Sequence, residues 1–447
     1  MSTPLQPLPS GGLSRDEVAR RDLGHTAVAP FTVRILMASF LTMIAAVPIV
    51  ELAVVRTRSA EGTATAWSHL RTSGVVLHET LKTTPDVFWR RIVSTNRTVL
   101  AGLSGFERTL EDESVIGRSL RPPAQVLMTG WLGAGNERVY PGRDGWLFYR
   151  PDVEYLTGRG FLDPAQRRQR IAGVSEWTAP PEPDPRQAIA RFKRDLEAHG
   201  ITLVVMPTPA KPGVHPERLA RRYANSARVL QNPSYLAFVE DLRRDGVLVF
   251  DPSEALAAAR SIGPLYLATD THWRPETMEI VAERLSDFIS AHVTLPAAAD
   301  PGYRIERVER RNSGDIARML DLPEHSTLFP AEVVWLARVV LPDGSPWRSS
   351  PDADVLVLGD SFSNIYALES MGWGTSAGFI EHLSRSLGRP VDRLVQNDEA
   401  AFATRAMLQR QPDRLTGKRV VVYQFAAREL AFGDWQVIPM PAPRKTR

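Results

Sequence analysis

The chain of 447 residues contains no cysteine, which removes thiol nucleophiles, thiolate-bound metals and disulfides together. The redox compartment stays open on this count, because a domain large enough to build its own core needs no disulfide. A strong charge of one sign is also lacking. The 54 Lys and Arg residues stand against 51 Asp and Glu, a net charge of +3, and the only basic cluster at an end is the short Arg444-Lys445-Thr446-Arg447 tail. No nucleic-acid partner is therefore expected. No internal repeat is visible, and only one stretch is apolar for long.

That stretch lies near the N-terminus. From Ile35 to Val50 no charged residue occurs, and past Glu51 the apolar run continues to Val55. A bilayer core takes about 20 mostly apolar residues in a helix, so residues 31–55 are expected to form a transmembrane signal anchor. A cleaved signal peptide and a buried core helix are the alternative readings, and Pro48 fits all three poorly. Arg15, Arg20, Arg21 and Arg34 precede the run while Arg56 and Arg58 follow it, so flanking charge gives no firm orientation. The short tail is placed inside, as in an N-terminal export signal. Residues 1–30, rich in Pro, Gly, Ser and charge, read as a disordered tail. Residues 56–135 read as a helical connector, in which Val87-Phe88, Ile92-Val93, Val99-Leu100 and Leu103 recur near the spacing of one helix face and packing is a sufficient explanation.

The main domain is placed at 136–440. Its opening, Tyr140-Pro141-Gly142-Arg143-Asp144-Gly145-Trp146-Leu147-Phe148-Tyr149, contains Pro-Gly and Asp-Gly pairs that demand a turn and an aromatic run that suits a strand. Apolar, β-branched runs follow at Ile201 to Met206, Val247 to Phe250, Val355 to Leu358 and Val420 to Tyr423, separated by helical stretches. That alternation predicts an α/β fold with a mainly parallel sheet covered by helices on both faces. The Pro-rich stretch Ala179 to Pro185 is a loop. Ala188, Ile189, Phe192 and Leu196 mark the helix after it. A further helix is expected to begin at about Pro275 and to bury Met278, Val281, Leu285, Phe288 and Ile289.

Two short stretches carry chemistry: Asp270-Thr271-His272-Trp273 and Gly359-Asp360-Ser361-Phe362-Ser363. The second directly follows an apolar strand, so Ser361 is presented where the strand ends and the chain turns, the place where α/β folds expose reactive groups. A serine hydroxyl is a poor nucleophile until a base takes its proton, and an imidazole base works best when a carboxylate fixes its tautomer. Ser361, His272 and Asp270 are the right three types, and a two-residue separation lets Asp270 and His272 project to one side of an extended or turn segment. The turn also offers the Ser361 amide as one donor to the anionic intermediate of acyl transfer, with no second donor identifiable. Each motif alone is weak, since Gly, Asp and Ser are ordinary turn residues. Asp-x-His could also supply two metal ligands, but without cysteine or a second clustered histidine no metal is expected, and no cofactor. Trp273 is either an aromatic wall for a sugar or plain packing.

The two motifs in this order resemble those of the alginate-biosynthesis O-acetyltransferases of the AlgJ and AlgX type, an SGNH hydrolase-like domain. The resemblance extends to Asp144-Gly145-Trp146-Leu147-Phe148, Pro207-Thr208-Pro209-Ala210-Lys211, Tyr266 to Asp270, and Ser313-Gly314-Asp315-Ile316 with Met319-Leu320. Near the end of the chain, Tyr423-Gln424-Phe425-Ala426-Ala427-Arg428-Glu429-Leu430 is similar to the family's closing strand. Ordinary SGNH hydrolases place Gly-Asp-Ser early and Asp-x-x-His late. The permuted order and the Asp-x-His spacing match the acetyltransferase branch, and the single domain after an N-terminal anchor looks more like the AlgJ type.

The resemblance implies a periplasmic enzyme, anchored in the inner membrane, that moves acetyl groups onto exopolysaccharide hydroxyls, with a membrane-bound O-acyltransferase supplying the acetyl. It implies Ser361 as nucleophile, His272 as base and Asp270 as its orienting acid, with Trp273, Arg428 and Tyr423 as candidate substrate contacts. Which polymer is acetylated stays open. The alternatives are a polysaccharide acetylesterase of the same fold and a non-catalytic scaffold of an envelope polysaccharide complex.

Overall fold

The computed structural model describes residues 29–58, separate helical positions between 74 and 107, and residues 115–442 apart from 174–178 and 224–227. The tail expected to be disordered, 1–30, lies almost wholly outside the described residues. The chain divides into a first unit, residues 1–121, and a second, residues 122–447.

In the first unit a helix, Pro30–Arg58, occupies the segment expected to cross a membrane, and Phe31, Leu36, Phe40, Ile44 and Ile49 along it are exposed. Among the described residues, however, no helix is long and apolar enough to cross a membrane. In the segment expected to be a helical connector, Ile92, Val93, Val99, Leu100 and Leu103 are helical and exposed. Val87-Phe88 lies outside the described residues.

The second unit opens on an antiparallel pair, β1 (Val139–Pro141) and β2 (Leu147–Tyr149), with Tyr140 opposite Phe148. Asp144 and Gly145 both adopt positive φ, 55° and 77°. A primed hairpin turn demands this of its two central residues, and Asp-Gly meets the demand most readily. The central sheet is built from β3 (Thr202–Thr208), β4 (Leu248–Val249), β7 (Val355–Gly359), β8 (Asp392–Val395) and β9 (Val420–Ala426). Its order is β4-β3-β9-β7-β8, all parallel. A separate antiparallel ribbon pairs β5 (Arg304–Asn312) with β6 (Glu332–Val340).

The four strands expected from apolar runs are all in the central sheet. β8 and the ribbon are not among the strands expected: Asp392 and Arg393 fill half of β8, and β5 carries four arginines and two glutamates, so these two strands show no apolar run, whereas β6 is an apolar run missing from that set. Neighbouring residues of each buried strand point to opposite faces, which sorts the core into two halves. Val204, Val357 and Val422 pack with Met278, Val281 and Leu285 of the helix Pro275–His292. Leu203, Val205, Leu356, Val421 and Tyr423 pack on the other side with Ile189, Phe192 and Leu196 of the helix Pro185–Ala198. That second helix starts where the Pro-rich loop ends, with the Asp184 side chain accepting from the Arg186 amide and Pro185 in the first turn, an N-cap arrangement that accounts for its boundary. Because the sheet is parallel, one edge gathers the strand C-termini. Lys211, Ser361 and Arg428 follow β3, β7 and β9 on that edge.

Candidate active site

The segment 268–272 carries no regular secondary structure, so its shape must come from bonds to its surroundings. Lys211, fully buried, donates from Nζ to the carbonyls of Leu147, Ala268 and Asp270 at 2.6, 2.9 and 2.9 Å. Burial pushes its ammonium pKa down to about 8, against the pull of Glu332 and Asp270. From the other side the Glu332 carboxylate accepts the Ala268 and Thr269 amides at 2.9 and 2.8 Å and the Thr269 hydroxyl at 2.7 Å. The hairpin adds a backbone bond from the Leu147 amide to the Ala268 carbonyl, 2.8 Å. Lys211, Glu332 and the hairpin, far apart in sequence, thus converge on the loop that carries His272.

Within the loop the Asp270 and His272 side chains do meet. Asp270 Oδ1 accepts from His272 Nδ1 at 2.7 Å and from the His272 amide at 3.1 Å. Oδ2 accepts the Asp315 amide and Trp373 Nε1, each at 3.1 Å. Burial would raise the Asp270 pKa, but the bond and charge of His272, with the other two donors, hold this carboxyl well below the usual carboxylate range. For His272, burial opposes protonation, yet the bond to Asp270 and the charges of Asp270 and Asp315 outweigh it and raise the imidazole above its ordinary value. With Nδ1 committed to Asp270, the opposite nitrogen, Nε2, is buried and has no hydrogen-bond partner among the described residues, Ser361 included. A buried, unpaired imidazole nitrogen is costly to leave idle.

Asp315 and Trp373 went unassigned in the sequence. Asp315 Oδ1 accepts the Thr271 amide at 2.7 Å, and Oδ2 lies 3.8 Å from His272 Nδ1. Burial and then the Asp270 charge raise its pKa. Gly314 before it must be glycine, because a Cβ would lie 2.1 Å from the Thr269 carbonyl oxygen. Trp373 sits between Gly372 and Gly374, both at positive φ, and that Gly-Trp-Gly pattern was the signal available for it.

Asp270, His272 and Asp315 offer ligand atoms within 4.8 Å of one another. They do not make a cation cage, since both Asp270 oxygens and His272 Nδ1 are already committed to hydrogen bonds among themselves and their neighbours.

Gly359 ends β7, Asp360 makes the turn, and Ser361 opens a short helix, Ser361–Asn364. Asp360 fixes this turn. Its Oδ1 accepts the Phe362 amide at 2.9 Å and Gln424 Nε2 at 2.8 Å, and its Oδ2 accepts the Ala426 amide at 2.6 Å. Gln424 also accepts from the Asp360 amide and the Ser363 hydroxyl and donates to Thr208, stitching the turn to β9 and β3. The residue after Ser361 joins the two motifs: the Phe362 ring lies edge-on to His272 at a centroid distance of 4.8 Å. Ser361 itself is nearly buried, at 8% exposure.

The three candidate substrate contacts fare differently. Trp273 is fully buried, with its ring against Phe362 and Phe379, and so cannot stack on a sugar. Tyr423 is equally buried and donates its hydroxyl to the Ala400 and Ala401 carbonyls. The pleat explains the latter, since Gln424 takes the face toward Asp360 and Tyr423 takes the opposite one. Both are core residues. Arg428 donates to Asp152 at 3.2 Å and lies over the Tyr149 ring, while its charge still bears on His272.

The position of Asp315 predicts a pH effect. Asp315→Asn keeps an acceptor for the Thr271 amide but removes a negative charge that helps raise the His272 pKa. An imidazole base works only when neutral, so activity falls as pH falls through its folded pKa. The acid limb of kcat/KM is expected to move to lower pH by on the order of one unit. A limb that stays in place in a pH–rate series would show that Asp315 does not tune the base.

The model of a family described as "SGNH hydrolase-like domain, acetyltransferase AlgX" matches residues 139–427. The probable alginate O-acetylase AlgJ of Pseudomonas aeruginosa is 29% identical over 197 residues, which is 44% of either chain. That of Pseudomonas putida is 30% identical over 203 residues, 44% of this chain and 46% of the relative. The chain therefore spans slightly less than half the length of these curated relatives. Among solved structures, the O-acetyltransferase domain of Pseudomonas putida AlgJ superposes with a TM-score of 0.49 at 22% identity, over 66% of this chain and 93% of that one. Pseudomonas aeruginosa AlgX gives a TM-score of 0.44 at 17% identity, over 66% and 67% of the two chains.

Proposed function

Because the chain belongs to the family of SGNH hydrolase-like domains of the acetyltransferase AlgX, we propose that it is an O-acetyltransferase acting on the hydroxyls of an exopolysaccharide through a serine acyl-enzyme. The observation that carries this reading is the buried Asp270–His272 pair, whose Nε2 has no partner among the described residues and whose ring packs on Phe362, the residue after Ser361. His272 Nε2 takes the Ser361 proton as Oγ attacks the acetyl carbonyl, and the Ser361 amide donates to the oxyanion. The imidazolium, stabilised by Asp270, then returns that proton to the departing donor group as its bond to the acetyl carbon breaks. In the second half a sugar hydroxyl loses its proton to His272 and takes the acetyl from Ser361, restoring the free serine.

The names of the curated relatives point to an alginate-like polymer as acceptor. We place the catalytic unit in the periplasm, held at the inner membrane by residues 31–55, with a membrane-bound O-acyltransferase supplying acetyl. The uncharged run Ile35 to Val50 and the exposed apolar side chains along Pro30–Arg58 support contact with a membrane at this segment.

Acyl-enzyme trapping tests the chemistry. The protein mixed with a chromogenic acetyl ester and quenched in acid should carry one acetyl group on the peptide containing Ser361 by mass spectrometry. Acetyl found only elsewhere, or none during turnover, would rule the mechanism out.

A further inference from the structure

The β5–β6 ribbon begins at the catalytic loop and leads away from it. Residues 313–315, immediately after β5, reach Thr269 and Asp270, and Glu332, the first residue of β6, holds the Ala268 and Thr269 amides. Arg310 and Asn312 of β5 abut Gly374 and Gly372, on either side of the tryptophan that donates to Asp270. Near this end one face of the ribbon is uncovered. Val333 and Trp335, two apart and thus on one face, are 39% and 53% exposed, and their cross-strand partners are Arg311 and Glu309.

The half-exposed indole of Trp335 beside Val333 makes a small apolar patch with a flat aromatic face open to solvent. The charge around it has a sign. On the face that carries Trp335, the ionisable β5 residues are Arg307, Glu309 and Arg311, opposite Ala337, Trp335 and Val333, so two arginines stand against one glutamate, while Arg304, Glu306 and Arg310 alternate to the other face. Arg307 also feels the Glu279 carboxylate of the neighbouring helix.

We infer that this face, Trp335 with Arg311, Glu309 and Arg307, is a rail for an acidic polysaccharide, and that it delivers the chain to Ser361. The inference rests on the acetyltransferase reading. Trp335 offers a flat apolar face to the C–H side of a pyranose ring, Arg311 and Arg307 meet carboxylates, and Glu309 accepts from ring hydroxyls. At about 3.3 Å per residue, Trp335 stands about 10 Å along β6 from Glu332, so the rail and the catalytic loop would bind different sugars of one chain. A short acetyl donor needs only the loop.

The test uses the full chain, a linear hexauronide and a linear neutral glucan of equal length. Calorimetry should detect binding of the hexauronide that weakens with salt, and much weaker binding of the glucan. Trp335→Ala and Arg311→Gln should each weaken hexauronide binding and raise the acceptor KM for acetylation by about tenfold or more, with hydrolysis of the chromogenic acetyl ester unchanged. Equal binding of the two oligosaccharides, or wild-type hexauronide binding and acetylation in both variants, would overturn the rail. Failure of the acetyltransferase reading shows elsewhere: Ser361→Ala would then retain ester hydrolysis, whatever the ribbon variants do.

Discussion

Ser361→Ala is expected to lower hydrolysis of a chromogenic acetyl ester, and acetylation of any polymer acceptor, by about four to six orders of magnitude in kcat. The loss is that large because no other group takes over the acetyl. What survives is the residual stabilisation from backbone donors and binding, typically about 10³–10⁴ over water. The same change should leave the fold almost untouched. The turn is fixed by Asp360 accepting from Phe362, Gln424 and Ala426, and none of these bonds involves the Ser361 side chain. The melting temperature should therefore move by no more than a few degrees. Steady-state assays on a variant with wild-type thermal unfolding make the comparison clean, and activity within tenfold of wild type would remove Ser361 from the mechanism.

The second large effect belongs to Asp270→Asn, which should cost both rate and stability. Four N–H groups converge on this carboxylate, the His272 amide and Nδ1 on one oxygen and the Asp315 amide and Trp373 Nε1 on the other. An asparagine has one oxygen and one NH2, so whichever way it turns, two donors face a donor. In a site 1% exposed, leaving such groups unmatched costs about 1–3 kcal/mol each. If the NH2 turns toward His272, it also forces the proton onto Nε2 and abolishes the base, an effect worth about 10⁴ in kcat in the serine-protease precedent. Thermal unfolding and single-turnover acetylation, measured together, separate the two losses. A variant that keeps wild-type turnover would show that Asp270 does not orient the base.

Most of the sheet was legible because its inner strands are continuous apolar runs, as a sheet buried on both faces requires. The helix from Pro275 and the helix after the Pro-rich loop were legible from their spacing. The Asp-x-His pair was legible because two residues of separation nearly determine their contact. Three kinds of feature were not. The ribbon is stabilised by cross-strand pairing, and its charged strand β5 carries no periodic apolar signal. Asp315 and Glu332 act through backbone amides of a loop remote in sequence, and no local pattern records that. Trp273 is open in sequence between sugar contact and packing, and Tyr423 is a candidate contact, because an aromatic looks the same in sequence whether it faces the ligand or the core. Only their burial decides it.

The loop that bears His272 has a further consequence for how this protein gains and loses its competence. Its carbonyls end on Lys211 and its amides on Glu332, so two opposite charges grip the two poles of the same short run of peptides. Neither grip lies within the loop, and in an unfolded chain neither is near it. The Asp-x-His geometry is therefore borrowed from the assembled domain: a fragment ending before Glu332 would keep the motif as letters and lose it as an arrangement. The shape of the His272 loop thus depends on contacts that only the folded domain supplies, and a local opening that frees Lys211 or Glu332 would release it.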